Sequence, residues 1–554
     1  MKSTHRSPSA NLLRLGILLG ALMPCLAQAA SSRCIDPLAA FTYPDTLGTT
    51  VKTSATTSVR FLNMATFGSL PRDTNHLSKM TIPEWLDEQF AMDASCHLPF
   101  LNQTQNNNQR ENRIEVWFRL AVNAPDQLRQ RVAFALSEIF VVSDVGSGIG
   151  PNAITAYYDV LVRNAFGNFR DILEQVTLSP AMGKYLSTLH NQKANRSLGI
   201  RADENYAREV MQLFTIGLVQ LDGSGIPLLQ DGNTIPTYSQ TDVENSAKVL
   251  TGWTLIDSVN FFDGNEWRVS MKPSENYHDR TAKTLLNNTP VPGLGKAPAD
   301  LKILLDTLFN HPNVGPFISR RLIQRLVTSN PSPEYIKRVA DVFSDNGSGV
   351  RGDMKAVITA ILMDTEATKG VSANPNFGKL REPLLVLTHL WRAFSGSSLD
   401  GTVRYYYPES TIGQAPLSAP SVFNFFKPDF SPSGAIKDKN LFAPEFQLVN
   451  DANNTNFHNE LFNLSHWKFK GYTWANPYDV LININSLTSR SRNPQDLVNY
   501  LNLILTGNKM PDDVKTVLLN YLRSIPYATN NGNINRSVEG LYMVLSSPYY
   551  LIQR

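Results

Sequence analysis

Apolar residues recur at steps of three and four along most of this chain, and this spacing constrains the fold more than any other feature. Between Pro125 and Ser143, the positions Leu128, Val132 and Leu136 form one apolar stripe, as on an amphipathic helix. Seven further segments show the same spacing: 301–310, 316–327, 332–343, 353–364, 381–394, 494–505 and 511–525. We therefore predict an all-α, predominantly helical fold, a large multi-helix globular domain.

Few segments alternate as strands do. The best candidates for short strands or hairpins in loops are 228–239 and 266–273. The breaks between helical segments are short enough to be surface loops rather than domain linkers. We predict a single helical domain over residues 58–554, with two intimate lobes that meet near 222–240 as the alternative.

The first 29 residues have the order of a secretory signal peptide. Lys2, Arg6 and Arg14 precede an apolar run and then the small-residue segment Ala-Gln-Ala-Ala, which predicts cleavage after Ala29. The apolar run is too short to span a bilayer, so we expect no stable membrane insertion. The mature protein, with an N-terminal tail at 30–57, is expected in the periplasm or outside the cell.

Removal of the signal peptide changes the charge balance. The whole chain has a formal net charge of +3, and residues 1–29 contain three Lys or Arg and no Asp or Glu, so the mature chain is neutral. Without a basic run there is no electrostatic basis for binding nucleic acid. The mature chain keeps Cys34 and Cys96, which we expect to form a disulfide in an oxidising compartment; two unpaired thiols are the alternative.

Two acid-rich helix starts are the first candidate site. In 201–218, Asp203 is a predicted N-cap and Glu204 lies in the first turn, where it can pair with Arg208. Glu209 lies at the edge of the apolar face, where a carboxylate needs water, a partner or a ligand. These charges form either a structural ion pair or a functional site.

The second helix start lies in 238–253. Thr241 and Glu244 have the spacing of a capping box, and Asp242 lies in the first turn. If the two helix starts converge, their carboxylates could hold a divalent cation such as calcium or act as an acid/base pair. No other cofactor is evident.

A third cluster combines an imidazole, a carboxylate and an amine: His278, Asp279 and Lys283. The aromatic segment 420–434 is expected to pack in the core or to form a ligand cleft. The candidate catalytic residues are Glu204, Arg208, Glu209, Asp242 and His278. The candidate ligand-binding residues are Asn205, Asp279, Lys283, Phe425 and Phe426.

Several motifs of common enzyme classes are missing from the sequence. The nine histidines show no paired metal-ligand spacing, and the chain lacks a close Cys pair, Gly-x-Ser-x-Gly, a phosphate loop and a dinucleotide fingerprint. The sequence therefore contains no motif that would support a function as a zinc hydrolase, α/β-hydrolase, kinase or dehydrogenase.

An ordered series of segments resembles a bacterial family known only as domain of unknown function 1800. The series includes "RFLNMATFG", "PDQLRQRVAFALSEIFVVS", "DENYAREVMQLFTIGL", "TDVENSAKVLTGW", "RGDMKAVITAILMD", "GKLREPLL", "PSVFNFFKPDFSPSG", "APEFQ" and "SSPYYLIQR", and it covers nearly all of the mature chain. The resemblance implies an exported, mostly helical protein and supplies no established activity. Asn205–Glu209 matches the Asn-Tyr-Ala-Arg-Glu core of the family signature, whereas Asp203 departs mildly from it.

The resemblance also bears on metals and on a partner. Some relatives carry Trp-His-x-His-Phe where this chain has "AFALSEIF", so a histidine metal site in those relatives does not transfer here. Such proteins often occur beside a second exported family, domain of unknown function 1501, which resembles sulfatases and phosphatases and is a possible partner.

Two functions remain open at this point. The first is a periplasmic or secreted binding or assembly protein that acts with a cell-envelope partner or polymer. The second is a hydrolase or lyase that acts on an extracellular polymer through the carboxylate and histidine residues. The sequence leaves open whether the protein is an enzyme.

Overall fold

The computed structural model describes residues 34–35, 50–104, 108–529 and 531–554. The predicted signal peptide at 1–29, and most of the predicted tail at 30–57, lie outside the described residues. The described residues belong to one compact unit. Among the described residues, none of the helices combines the length and the hydrophobicity that a membrane-spanning segment needs.

The described part is built mainly of helices, as the apolar spacing predicts. The first group is α1 (Ala55–Ala65), α2 (Pro71–Ser78), α3 (Ile82–Ala91), α4 (Leu98–Leu101), α5 (Arg110–Asn123), α6 (Gln127–Ser137), α7 (Pro151–Asn164), α8 (Phe169–Thr177), α9 (Pro180–Tyr185), α10 (Asn205–Gln212) and α11 (Gln240–Val249).

The second group follows the loops between 250 and 296. It comprises α12 (Ala297–Phe309), α13 (Val314–Leu326), α14 (Pro333–Ser344), α15 (Met354–Met363), α16 (Thr365–Lys369), α17 (Pro383–Ala393), α18 (Pro408–Ile412), α19 (Ala435–Asp438), α20 (Asp451–His466), α21 (Asn485–Thr488), α22 (Pro494–Thr506), α23 (Asp512–Ser524), α24 (Gly532–Leu545) and α25 (Pro548–Leu551). Single 3₁₀ turns lie at Arg196–Leu198, Leu286–Asn288, Gly370–Ser372 and Pro444–Leu448.

The strands form two-stranded sheets within loops. They are β1 (Cys34–Ile35) with β2 (Ala94–Ser95), β3 (Leu229–Gln230) with β4 (Asn233–Thr234), β5 (Trp253–Thr254) with β6 (Lys272–Pro273), β7 (Lys283–Leu285) with β8 (Thr289–Val291), and β9 (Lys379–Leu380) with β10 (Ile552–Gln553). Only the first pair is parallel. Both predicted strand segments, 228–239 and 266–273, contain strands. The turn Asp231-Gly232 joins β3 to β4, as its residue types favour.

Each predicted helical segment is helical, with one shortened. Helix α6 ends at Ser137, and residues 138–143 leave the helix. The β-branched Ile139, Val141 and Val142 follow that end and favour extended backbone. The early end matters for the site, because it turns Glu138 into the C-cap residue of a wholly buried helix.

Two predicted caps are wrong in detail. The residue before α10 is Glu204, which makes no side-chain cap, while Asp203 Oδ1 accepts from the N–H of Asn205 at 2.8 Å. The capping box of α11 is formed by Ser239 and Asp242 rather than by Thr241 and Glu244. The reason is that α11 begins at Gln240, before the predicted box.

The predicted disulfide between Cys34 and Cys96 is present, with the two Cα atoms 5.3 Å apart. It joins the tail to the helical body beside the β1–β2 pair. A covalent link of this kind limits the unfolded chain and so stabilises the fold.

One large hydrophobic core runs through the described helices. Helix α6 lies inside it with every residue buried, and it packs against α5, α7 and α13. A helix this deep normally carries apolar residues only, yet α6 contains Arg129 and Arg131. Such side chains need partners inside the protein, and they lead to the central polar site.

Candidate functional site

The predicted cluster at the starts of α10 and α11 forms a surface network. Arg208 Nη2 lies 3.2 Å from Glu204 Oε2, and Gln240 Nε2 donates to the same oxygen at 2.9 Å. Asp242 is occupied by its own helix cap, where the Ser239 N–H donates to it at 2.8 Å. Asn205 is exposed in the first turn of α10. The structure thus brings Glu204 and Arg208 to Gln240, and such exposed pairs contribute little to stability.

Glu209 differs from its neighbours because it faces the core. Its side chain is buried, and Oε2 has no hydrogen-bond partner. Burial raises the pKa of this carboxyl, and Arg208 only partly offsets that effect. Leu213, the C-cap residue of α10, follows Glu209 by four positions, so Glu209 and Leu213 lie on the same face of the helix.

The third predicted cluster is a buried ion network. His278 is fully buried; its Nε2 lies 3.2 Å from Asp300 Oδ2 and its Nδ1 lies 2.9 Å from the carbonyl of Thr251. Lys283 Nζ lies 3.2 Å from Asp300 and donates to the carbonyl of Asp279 at 2.7 Å. Asp300, which the sequence reading missed, is therefore the centre of this network.

A different polar site lies in the core, at the C-terminal end of α6 and the start of α17. The carboxyl groups of Glu138 and Glu382 are in hydrogen-bond contact, and we call them the glutamate pair. Asn424 Nδ2 donates to Glu138 Oε1 at 3.1 Å, and Gln414 Nε2 donates to Glu382 Oε2 at 2.7 Å. The remaining oxygens, Glu138 Oε2 and Glu382 Oε1, accept no hydrogen bond from another described residue. Two carboxyl groups in this position share one proton.

The surroundings decide which glutamate keeps the proton. Burial raises the pKa of Glu138 well above its usual range, and the charge of Glu382 raises it further. Burial alone would also raise the pKa of Glu382, but Lys379, the hydrogen bond from Glu138 and two arginines outweigh it and lower that pKa. The surroundings therefore favour the proton on Glu138 and the ionised form of Glu382.

Three cations and a third carboxylate surround the glutamate pair. Lys379 Nζ lies 3.1 Å from Glu445 Oε1 and 3.8 Å from Glu382 Oε1. Arg325 Nε lies 3.9 Å from Glu138 Oε2, and Arg131 Nη2 donates to the carbonyl of Arg325 at 2.6 Å. We call the set Glu138, Glu382, Glu445, Lys379, Arg325 and Arg131 the central ion cluster. When Glu138 is protonated, the three cations of the central ion cluster face two carboxylates, those of Glu382 and Glu445.

The central ion cluster borders a small cleft of about 50 Å³, which we call the arginine cleft. Its walls come from the ends of α6 and α10, from α13 and from the aromatic segment 420–434: Glu138, Ile139, Leu213, Phe317, Arg321, Arg325, Val422, Phe423 and Pro428. Of the predicted aromatic pair, Phe426 is buried beneath the guanidinium of Arg325, 4.4 Å from its ring centroid, and Phe425 is half-buried.

Arg321 is a cation in the wall of the arginine cleft. In the described part of the chain its guanidinium lies 4.9 Å from the ring centroid of Phe317, and the charge of Asp429 offsets its own only in part. Burial, together with the charges of Arg320 and Arg325, lowers the pKa of Arg321 to about 9, so it stays charged at neutral pH. A cation in this position favours an anion from solution.

The described His, Cys, Asp and Glu side chains do not gather in groups of three that could hold a metal ion. The model of a protein family described as a protein of unknown function, DUF1800, matches residues 60–552. The chain is therefore a DUF1800 protein. No curated protein and no solved structure matches it.

In this DUF1800 protein, segments that carry the family resemblance meet at the cleft. The segment ending in "SEIF" supplies Glu138, "GKLREPLL" supplies Lys379 and Glu382, "PSVFNFFKPDFSPSG" supplies Phe423, and "APEFQ" supplies Glu445. The sequence reading named only the aromatic segment. A usable signal was present, since Arg131 and Arg325 are charged positions inside strongly apolar helical segments.

Proposed function

We propose that this DUF1800 protein is an exported binding protein that holds an anionic group of a cell-envelope polymer in the arginine cleft. One observation carries the proposal: Arg321 lies in a cleft with Arg325, and the nearby charges lower its pKa more than Asp429 raises it, so positive charge predominates around it. Carboxylate, phosphate and sulfate groups all match a guanidinium in charge and shape.

The protonation of the glutamate pair supports the same proposal. Glu138 lines the arginine cleft, and an ionised carboxylate there would repel an anion. Because burial and Glu382 favour the protonated form of Glu138, this carboxyl does not offset the positive charges of Arg321 and Arg325 in the cleft wall. The volume of about 50 Å³ admits one small group, so the rest of the polymer would lie on the surface.

The Cys34–Cys96 disulfide supports export, because such bonds persist in oxidising compartments. The partner implied by the family resemblance fits as well. A sulfatase-like or phosphatase-like protein of the second exported family would act on the kind of anionic polymer that the cleft is proposed to hold.

The test is a titration of the purified mature protein with inorganic sulfate, inorganic phosphate and dextran sulfate, measured by calorimetry. Arg321→Gln should weaken binding at least about tenfold, since a charge-assisted hydrogen bond contributes about 1.5–3 kcal/mol. Arg321→Lys should retain part of the affinity. The matched control is Arg523→Gln, which removes an exposed arginine on α23. Equal binding by wild type and Arg321→Gln would contradict the proposal.

A hydrolase acting on the same polymer is the second candidate, and the glutamate pair is the observation that favours it. One protonated and one ionised carboxyl in contact can activate a water and protonate a leaving group, as in aspartic-protease dyads. Glycoside hydrolysis normally uses carboxyl groups about 5–10 Å apart, so a glycosidase mechanism fits this pair poorly. Glu138→Gln separates the two functions: a binding protein keeps its affinity, whereas a hydrolase loses product formation.

A further inference from the structure

Two neighbouring cavities lie at the start of α7, and we treat them together as one groove. The first, about 460 Å³, lies between α5, the start of α7 and Tyr407. The second, about 430 Å³, lies between the start of α7 and the loop that contains Trp267. Ile149 lines both cavities, so they lie next to each other at the loop before α7. Each has the size of a small-molecule site.

The charged side chains of this groove neutralise one another. Arg110 lies 3.1 Å from both Asp144 and Glu409, and Arg113 lies 2.6 Å from Asp144. At the other end, Arg268 lies 2.6 Å from Glu266. The groove thus offers many hydrogen-bond donors and acceptors without a surplus of either charge. An anionic polymer such as nucleic acid needs uncompensated cations, which this lining does not supply.

Aromatic rings and planar amides complete the lining. The ring of Tyr407 is 56% exposed in the first cavity, and Trp267 is half-buried in the second. The amides of Asn152 and Asn265 line the second cavity. An aromatic ring offers a flat apolar face, and an amide both donates and accepts hydrogen bonds.

We propose that this groove, which we call the sugar groove, binds a chain of uncharged sugar residues. A sugar ring presents apolar C–H groups on its faces, which stack on Tyr407 and Trp267. Its hydroxyl groups both donate and accept hydrogen bonds, and so they match the paired charged groups and the amides of the lining. The length across two cavities suits several linked sugars rather than one. This inference does not depend on the arginine cleft, because the two share no lining residue.

Gly150 allows a steric test of the sugar groove. It lines the second cavity with an ordinary φ of −70°, and an added Cβ would meet only Asn108 Oδ1, at 3.8 Å. A larger side chain therefore fits the fold and fills the groove. Gly150→Leu should block binding, whereas Gly150→Ser adds a small side chain that suits the N-cap of α7.

The experiment is calorimetric titration of the mature protein with maltohexaose, cellohexaose and chitohexaose. We expect at least one of these neutral hexasaccharides to bind, with at least tenfold weaker binding for Trp267→Ala, Tyr407→Ala and Gly150→Leu. Trp474→Ala, which removes a tryptophan that is 83% exposed, should bind as wild type does, and Gly150→Ser should weaken binding less than Gly150→Leu does. Thermal melts verify that each variant is folded.

Two results would overturn the sugar groove. One is no binding of any neutral hexasaccharide; the other is binding that persists in folded Gly150→Leu and Trp267→Ala. If dextran sulfate binds through Arg321 while no neutral hexasaccharide binds, the sugar groove is refuted and the proposed function stands. If neutral sugars bind at the sugar groove while Arg321→Gln leaves anion binding unchanged, the proposed function is refuted and the sugar groove stands.

Discussion

The glutamate pair makes an asymmetric prediction for two conservative substitutions. In Glu138→Gln, the amide oxygen can still accept from Asn424, and the amide N–H can donate to Glu382 as the carboxyl proton does. In Glu382→Gln, Lys379 and Arg131 lose the carboxylate that compensates them. Breaking a buried ion pair costs about 3–5 kcal/mol, and because Glu138 can ionise in its place, we take about 3 kcal/mol.

The melting temperatures follow from these free energies. A chain of this size has an unfolding entropy of about 1 kcal/mol/K, so Glu382→Gln should melt about 3 °C below wild type at pH 7. Glu138→Gln should melt within about 1 °C of wild type at pH 5.

The pH dependence has a definite sign. Glu138 has a raised pKa in the folded protein, so the folded state holds a proton that the unfolded state releases. The stability linked to this proton is complete below the ordinary carboxyl pKa and falls as pH rises through the folded value. Glu138→Gln removes this loss of stability, so its melting temperature should rise relative to that of wild type between pH 5 and pH 8.

Differential scanning calorimetry of the three proteins across this pH range is the assay, with Glu334→Gln as the control for an exposed glutamate. If Glu138→Gln and Glu382→Gln lose the same melting temperature at pH 7, the two carboxyl groups are equivalent and the assigned proton is wrong.

Further predictions concern pH and stability. Anion binding at the arginine cleft should weaken as pH rises through the raised pKa of Glu138, because Glu138 then ionises, and titrations of Glu138→Gln should show no such decline. Glu209→Gln should raise the melting temperature at pH 8 and leave it unchanged at pH 4, since burial raises the pKa of that carboxyl and no hydrogen bond holds its Oε2. Replacing Cys34 and Cys96 by Ser should cost about 4 kcal/mol in chemical unfolding, the loop-closure value for their separation of 62 residues. Asp300→Asn should cost about 3 kcal/mol in the same assay, because His278 and Lys283 both pair with that carboxylate.

The helices were predictable because their apolar spacing is a local property of the sequence. Positions 494–505, for example, predict the helix observed at Pro494–Thr506. The disulfide was predictable because removal of the predicted signal peptide would leave Cys34 and Cys96 as the two available thiols. The exact helix caps were less predictable, because several residues near Asp203 and near Ser239 compete to cap one helix end.

The central site was not predictable, because its members come from distant parts of the chain. Glu138 and Glu382 meet only after α6 and α17 pack into the core, and no local pattern encodes that contact. At His278 the local sequence pointed in the other direction, because the adjacent Asp279 and the nearby Lys283 suggested a functional site. Its partner Asp300 lies on α12, and together they form a buried ion pair.

The central claim is that the arginine cleft holds an anion. The most direct measurement is a crystal structure of the mature protein soaked in selenate, with the anomalous signal of selenium used to locate the ion. The account predicts a selenate within hydrogen-bond distance of the Arg321 guanidinium, and no such peak in Arg321→Gln crystals treated in the same way. An arginine cleft without selenate at a saturating concentration would contradict the account.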